Sequence, residues 1–265
     1  MLTLIRGAGD LASGIALRLR RSGISVVMTD LPQPTTIRRR VAFSEAMFTG
    51  TAAVEDVTAR CAETTAEAVG LLKKDVIPVL ADPECVCRTA LQPDVLVDAI
   101  LAKRNLGTHI TDAPIVVGVG PGFTAGKDCH AVVETMRGHT LGRVIYSDSA
   151  LPNTSIPGLI GGFAGERVLR APAEGPFIST CKIGDEVSVG DTVGYVDGKP
   201  MICTIGGVLR GLLADGVVAH QGMKAGDVDP RCKPEYCTLS SDKALAIGGG
   251  VLEAILHFWG QSDGE

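Results

Sequence analysis

Aromatic residues are scarce in this chain, with one Trp, three Tyr and six Phe in 265 residues. Stacking platforms for bases or sugars need several aromatic faces, so the composition argues against them. An excess of basic charge is missing too. The formal net charge is −5, which excludes a nucleic-acid coat or a binder of anionic membranes, both of which would be basic. Long apolar runs are also absent. The longest, 244–259, contains Glu253 and His257 and is too short to cross a bilayer. The first residues enter an apolar stretch without the basic region, apolar core and cleavage site of an export signal. These absences predict a cytoplasmic protein with no nucleic-acid and no membrane partner. In that compartment the eight cysteines stay reduced by default.

What is present is apolar side chains and glycine. Hydrophobic residues make up 45% of the chain, enough for a real core. The 33 glycines follow no period and imply tight turns and close backbone contacts. "LTLI" (2–5) reads as a buried strand and "LASGIALRLRRSG" (11–23) as a helix. Arg18, Arg20 and Arg21 lie in its last turns, where cations suit the helix dipole, and Gly23 ends it. "ISVVMTD" (24–30) is a second strand, which completes a βαβ unit. Further strands are expected at 76–80, 93–102 and 114–123, a helix at 64–75, and a β-hairpin over 130–148 around Arg137-Gly138. The stretch 151–166 has the Pro and Gly content of a linker or ordered loop. From 167 to 230 helical periodicity fades into short β runs. Two segments there echo each other, one ending in Gly190-Asp191 and the other 36 residues on in Gly226-Asp227, as in a duplicated β unit. The tail returns to helix, with Ser241 or Asp242 as N-cap.

The turn "RGAGDLA" has the spacing of a dinucleotide loop. Gly7 makes the tight turn, Gly9 admits a pyrophosphate, and Ala12 lets helix and strand pack. Asp30, at the end of the second strand, is placed to hold ribose hydroxyls. The expected cofactor-binding set is therefore Gly7, Ala8, Gly9, Asp10, Leu11, Ala12 and Asp30, with Gly120 and Gly122 from a second loop, "VVGVGPGFTAGK". The ligand expected is NAD or a pterin dinucleotide, each a small nucleotide with pyrophosphate and ribose. Asp10 competes with an anion for the same helix field, with Arg6 near enough to offset it. Arg38, Arg39 and Arg40 either reach a 2′-phosphate or form a solvated basic turn. Asp98 and Lys103 follow a strand, where open α/β sheets place ligands. Alternation puts His130 and Glu134 on one strand face, where such a pair either shuttles protons or simply meets solvent. These four are the candidate catalytic residues. "CVC" (85–87) and "CKPEYC" (232–237) offer thiolates for a metal or a redox pair, but only the second has zinc-knuckle spacing. No metal ligand set is assigned. Cys61, Cys129, Cys181 and Cys203 sit among apolar residues and read as core.

Taken together, "RGAGDLASGIA", "RRRVAFSEAMFTG", "GPGFTAGKDCHAVVETMRGHTLGRVIY", "LRGLLADG" with "GMKAGDVDPR", and "SDKALAIGGGVLEAIL" resemble one family. It is the YqeB-type accessory proteins of selenium-dependent molybdenum hydroxylases, distantly related to the xanthine dehydrogenase accessory proteins. The resemblance implies a maturation factor for a molybdenum cofactor, with a molybdenum hydroxylase client or cofactor-maturation proteins as partners. "GDEVSVGDTVGYVDG" further resembles half of a biotinyl/lipoyl-type barrel-sandwich hybrid, although Lys199 in "GKP" departs from the carrier-lysine setting. The expected fold class is thus α/β, with an N-terminal Rossmann-like domain (1–165) and a duplicated barrel-sandwich-like β domain (166–231). A C-terminal helix (232–265) is expected to pack back on the first domain. An NAD-dependent oxidoreductase and a non-enzymatic structural adaptor remain as alternative functions, and a homo-oligomer is possible.

Overall fold

A computed structural model describes residues 1–154 and 156–262. Ser155, inside the stretch expected as a linker, lies outside the described residues, as do residues 263–265. The chain divides into two compact units, one built from 1–32, 42–153 and 240–265, the other from 33–41 and 154–239.

The first unit is built on a nine-stranded sheet. The chain enters through β1 (Leu2–Arg6), α1 (Asp10–Arg21) and β2 (Ser25–Asp30), and continues with α2 (Ala46–Thr49), β3 (Thr51–Val54) and β4 (Val57–Ala62). Next come α3 (Thr65–Leu72), β5 (Ile77–Ala81), α4 (Arg88–Leu91), β6 (Val95–Asp98), β7 (Ile115–Val119), β8 (Ala131–Val133) and β9 (Val144–Ile145). The order across the sheet is β3-β4-β5-β2-β1-β6-β7-β8-β9. The seven inner strands pair in parallel, whereas β3 and β9 run antiparallel at the two edges. Strands β1, β6 and β7 are near-continuous apolar runs because both of their faces are covered. Leu4, Leu96, Val116 and Val132 share one core with Ala68 and Leu71 of α3. Alternation sends Ile5, Val97 and Val117 to the other face, where α1 lies against β1 and a long last helix, α5 (Asp242–Ser262), against β7.

Helices α1 and α5 pack closely because glycine lies at the crossing. A Cβ on Gly14 would sit 2.6 Å from the Cβ of Ala244, and one on Gly248 would sit 2.7 Å from the carbonyl oxygen of Gly14. The Ser241 hydroxyl accepts from the Ala244 amide at 3.2 Å and caps α5.

The second unit contains β10 (Val168–Arg170), β11 (Gly175–Ser179), β12 (Glu186–Val187), β13 (Thr192–Val196) and β14 (Lys199–Ile202), then β15 (Gly207–Leu212), β16 (Val218–Ala219) and β17 (Lys224–Asp229). They form two antiparallel four-stranded sheets, β10-β17-β15-β12 and β14-β13-β11-β16. The unit is internally duplicated, with a period of 32 rather than 36 residues: β11, β12 and β13 begin at Gly175, Glu186 and Thr192, and β15, β16 and β17 at Gly207, Val218 and Lys224. Three glycine pairs with positive φ keep the same offset, namely Gly175 with Gly207, Gly184 with Gly216, and Gly190 with Gly222. Each repeat lends its short middle strand to the other, since β12 pairs with β15 and β16 with β11. The Gly-Asp echo was misleading. Gly190-Asp191 is the turn before β13, whereas Gly226-Asp227 lies within the ladder of β17.

The expected fold class needs correction in both halves. A doubly wound nucleotide domain covers its sheet with crossover helices. Here residues 99–114 and 120–130 connect parallel strands with no α-helix, and the sheet ends in an antiparallel strand at each edge. In the second unit a carrier lysine would occupy a hairpin tip. That tip is Asp197-Gly198, both at positive φ, and Lys199 is already a ladder residue opposite Val196.

Candidate functional site

Arg6, Asp30, Asp98 and the Cys85–Cys87 turn lie at the carboxyl ends of β1, β2, β6 and β5. The register Arg6–Thr29 and Arg6–Asp98 places these side chains on neighbouring strands.

The first glycine loop closes on protein. Gly7, at φ +103, donates its amide to the Thr29 carbonyl at 2.8 Å, and a Cβ there would lie 3.0–3.1 Å from the backbone of Ala99 and Ile100. Its glycine therefore serves a close approach of two backbone segments of the chain. Ala8 is fully buried, and its carbonyl accepts from the Ser44 amide at 2.9 Å and the Ser13 hydroxyl at 3.2 Å. Asp30 does not present its carboxylate to a ribose. One oxygen accepts from the Ala8 amide at 2.8 Å and the other from the Leu31 amide at 2.7 Å. Burial pushes its pKa up against those two hydrogen bonds. Gly9 is the N-cap of α1 in an extended conformation, Asp10 and Leu11 open the helix half-buried, and Ala12 is buried.

Asp30 is thus a clasp between the ends of β1 and β2. Replacing it with alanine leaves the buried Ala8 amide without a partner, at a cost of about 1–3 kcal/mol. Because the folded-state pKa is raised, the clasp contributes most at low pH and loses strength as pH rises through that value. Urea titrations of Asp30→Ala against the parent should therefore show a larger difference below the ordinary carboxylate range than at neutral pH. Equal curves would remove the clasp.

Arg6 gives its donors to other groups. Its Nε donates to the Pro83 carbonyl at 2.9 Å, while Nη1 reaches the Leu106 carbonyl at 3.0 Å, the Thr108 hydroxyl at 3.2 Å and Asp98 at 3.4 Å. Asp98 is fully buried and accepts from the Thr108 hydroxyl at 2.6 Å. Burial raises its pKa, opposed by Thr108 and Arg6. Lys103 is exposed, at φ 64, in the irregular loop that follows.

The second glycine loop also meets protein. A Cβ on Gly122 would fall 2.6 Å from the backbone of Arg104, and one on Gly120 2.9 Å from the Thr135 hydroxyl. His130 and Glu134 do not act as a pair. His130 accepts the Val116 amide on Nδ1 at 2.9 Å, and burial lowers its pKa. Glu134 is buried and accepts the amides of Thr135, Met136 and Leu151 at 2.6, 2.6 and 2.8 Å. Arg38 and Arg39 hold main-chain carbonyls of the two-sheet unit, at Tyr236 (3.0 Å) and Leu212 (3.0 Å).

The chemistry that the sequence reading underrated is in "DPECVC", directly after β5. Asp82 organises the turn: its carbonyl accepts from Cys85 at 3.0 Å and its carboxylate from the Cys87 amide at 2.7 Å. Burial raises the Asp82 pKa, but the Cys87 and Val86 amides outweigh it and the net shift is downward. Cys85, at φ 57, sits in the left-handed region. Its thiol faces the Thr29 hydroxyl at 4.0 Å, with the Cys87 thiol and the Arg6 guanidinium as further neighbours. These contacts lower the Cys85 pKa against its burial. Cys87, facing Cys85 and Asp82, is pushed strongly upward. Burial drives the Cys129 thiol up to about 12 and that of Cys203 up to about 11. Burial also raises Cys61 and Cys237. The signal available in sequence was the acid three positions before the first thiol. Among the described residues no group of three or more His, Cys, Asp and Glu side chains is arranged to hold a metal ion, and no helix is long and apolar enough to cross a membrane.

The molecule so described is a mixed α/β chain with an internally duplicated β unit. No family model matches it. It is 52% identical over 255 residues to the uncharacterized protein YqeB of Escherichia coli K12, a match that covers 96% of this chain and 47% of that one. The chain is a homologue of YqeB and the match supports the YqeB family, of which the chain spans about half the length of the curated relative. Among solved structures it is similar to an aspartoacylase family protein of Mesorhizobium loti, with 10% identity, 56% and 59% of the two chains covered, and a TM-score of 0.24. It is also similar to a succinylglutamate desuccinylase of a Silicibacter species, with 14% identity, coverage of 86% and 84%, and a TM-score of 0.25. The site geometry corrects the expected role. With the first glycine loop closed on protein and Asp30 turned to the Ala8 amide, maturation of a molybdenum hydroxylase, NAD-dependent oxidoreduction and a bare structural adaptor are not carried further, and neither is the Rossmann and biotinyl/lipoyl reading corrected above. At such TM-scores the neighbours carry no argument for their own activities here.

Proposed function

We propose that the chain works as a thiol–disulfide couple, with Cys85 as the reactive thiol and Cys87 as its resolving partner. The observation that carries this reading is geometric: the Asp82 turn, through its carbonyl and its carboxylate, sets two thiols two residues apart at the carboxyl edge of a parallel sheet, with the Thr29 hydroxyl 4.0 Å from the Cys85 sulfur. Both thiols are buried, at 3% and 8% exposure, and the exposed residues Glu84 and Val86 flank them in sequence, so exchange requires this turn to open.

The Cys85 thiolate attacks one sulfur of a small disulfide. That S–S bond breaks, a mixed disulfide forms at Cys85, and the first small thiolate leaves. Cys87 then loses its proton to the departing thiolate and attacks the Cys85 sulfur, which expels the second small thiolate, and that thiolate takes from water the proton that Cys85 gave up on ionising. Two electrons pass from the two cysteines to the small disulfide, and the two thiol protons end on its two halves. Arg6 and Thr29 favour the Cys85 thiolate, and the Asp82 turn keeps the two sulfurs as neighbours.

Iodoacetamide labelling followed by peptide mass spectrometry tests this. Cys85 should remain reactive below the ordinary thiol pKa of about 8.5, whereas the other thiols fade as pH falls. Cys87→Ala should shift the Cys85 profile upward in pH, and oxidised glutathione should remove about 2 Da from the peptide that carries both cysteines. An ordinary pH profile for Cys85, or a mixed disulfide that never resolves, overturns the proposal.

A further inference from the structure

Two arginines tie the Cys85–Cys87 turn to the segment that follows β6. Arg6 reaches both. Its Nε donates to the Pro83 carbonyl at 2.9 Å, and Nη2 lies 3.7 Å from the Glu84 carboxylate. Nη1 holds the segment, at the Leu106 carbonyl (3.0 Å), the Thr108 hydroxyl (3.2 Å) and Asp98 (3.4 Å). Farther out, Arg88 donates to the Cys85 carbonyl at 3.0 Å, while its Nε lies 3.4 Å from the Asp112 carboxylate. The segment is strained. Leu101 (φ 57) and Lys103 (φ 64) are left-handed two residues apart, a conformation that persists only where the surroundings over-determine it. Here they do. A Cβ on Gly7 would meet the Ala99 backbone at 3.0 Å, and one on Gly122 the Arg104 backbone at 2.6 Å. Asn105 accepts from the Thr108 amide at 2.8 Å and donates to its carbonyl at 2.7 Å, which closes the far end.

We infer that residues 99–108 are a sprung strap, latched by Arg6, that keeps the Cys85–Cys87 turn shut, so that its release sets the rate at which the buried thiols react. The inference rests on the thiol couple proposed above and names what regulates it. When Leu106 and Thr108 move off, the guanidinium is no longer fixed, and the Pro83 carbonyl loses the tie that holds its turn. Leu101 and Lys103 leave the left-handed region at the same moment, which offsets part of the lost hydrogen bonding. Arg6 acts here through the backbone of the turn, as a positioning residue.

Asn105→Ala cuts the far end of the strap without touching Arg6 or either thiol. Iodoacetamide labelling at neutral pH, read by peptide mass spectrometry, should be about tenfold faster at Cys85 in that variant than in the parent. Cys129, buried outside the turn, should keep its rate. An unchanged Cys85 rate overturns the strap. If Asn105→Ala loosens the whole fold, Cys129 speeds up as well, and Lys103→Gly decides, because glycine relieves the left-handed strain and steadies the closed form. Cys85 labelling should then slow by about threefold, and an equal or faster rate overturns the inference. Oxidised glutathione separates the two proposals. If Cys85 opens in Asn105→Ala and the disulfide with Cys87 still never forms, the couple fails and the strap stands. If that disulfide forms equally fast in variant and parent, the strap fails and the couple stands.

Discussion

Asp227→Ala should lower the stability of the two-sheet unit by about 3–5 kcal/mol, the usual cost of stripping one partner from a buried ion pair. Asp227 is fully buried between two buried guanidiniums. Arg167 donates to one oxygen at 2.6 Å, and Arg210 donates to the other through Nε at 2.9 Å and Nη2 at 2.5 Å. Removal of the carboxylate leaves Arg167 with the Gly158 carbonyl at 3.2 Å and Arg210 with Asp229 at 3.2 Å. Neither replaces a doubly shared carboxylate. Asp229→Ala should cost less, because its second partner, Arg231, is partly exposed and retains water. Urea unfolding followed by circular dichroism measures both. A loss under about 1 kcal/mol for Asp227→Ala would show that Arg167 and Arg210 are solvated rather than buried.

The second large effect is at the crossing of α1 and α5. Helix propensity alone makes Gly→Ala favourable by about 1 kcal/mol in an exposed helix interior. At Gly14 the steric term wins, because the new Cβ meets the Cβ of Ala244 at 2.6 Å and its main-chain carbon at 2.8 Å. Neither is the yielding end of a long side chain. Gly14→Ala should destabilise by about 1–3 kcal/mol, and Gly14→Leu by more. Gly249 in α5 is the control, since nothing lies within 4 Å of a Cβ built there. Gly249→Ala should raise stability by up to about 1 kcal/mol. If thermal melts shift both variants in the same direction, the close crossing is wrong.

Local signals were legible in the sequence to the extent that they were backbone signals. The first strand, turn, helix and second strand could be read because apolar runs, Gly7 and the arginines of the last turn act within 30 residues. The capped start of α5 was readable for the same reason. The use of the glycine loop was not, because the dinucleotide pattern and a protein–protein approach place the same demand on Gly7. Only the tertiary position of Ala99 and Ile100 separates them. Asp30 was legible as an acid closing a strand, but its turn back onto the Ala8 amide depends on rotamer and burial. His130 and Glu134 share a face as alternation requires, yet each is held by main-chain amides from other segments. The repeat was visible in outline and misplaced in register, because Gly-Asp recurs by chance within β17, while the glycines that keep the period, Gly184 and Gly216 among them, have different neighbours. Cys85 and Cys87 looked like an awkward metal motif. Their mutual tuning depends on Thr29 and Arg6, which are more than fifty residues away in the sequence.

The long closing helix also bears on synthesis. Its docking groove is made by α1, residues 10–21, but the helix that fills it emerges only after the whole second unit. At about 5–20 residues per second of translation, the groove around Gly14 stays open to the cell for ten seconds or more on the ribosome, on the order of the time set by the intervening chain. A nascent chain that stalls before Asp242 carries that bare apolar strip, which makes it a natural substrate for chaperones.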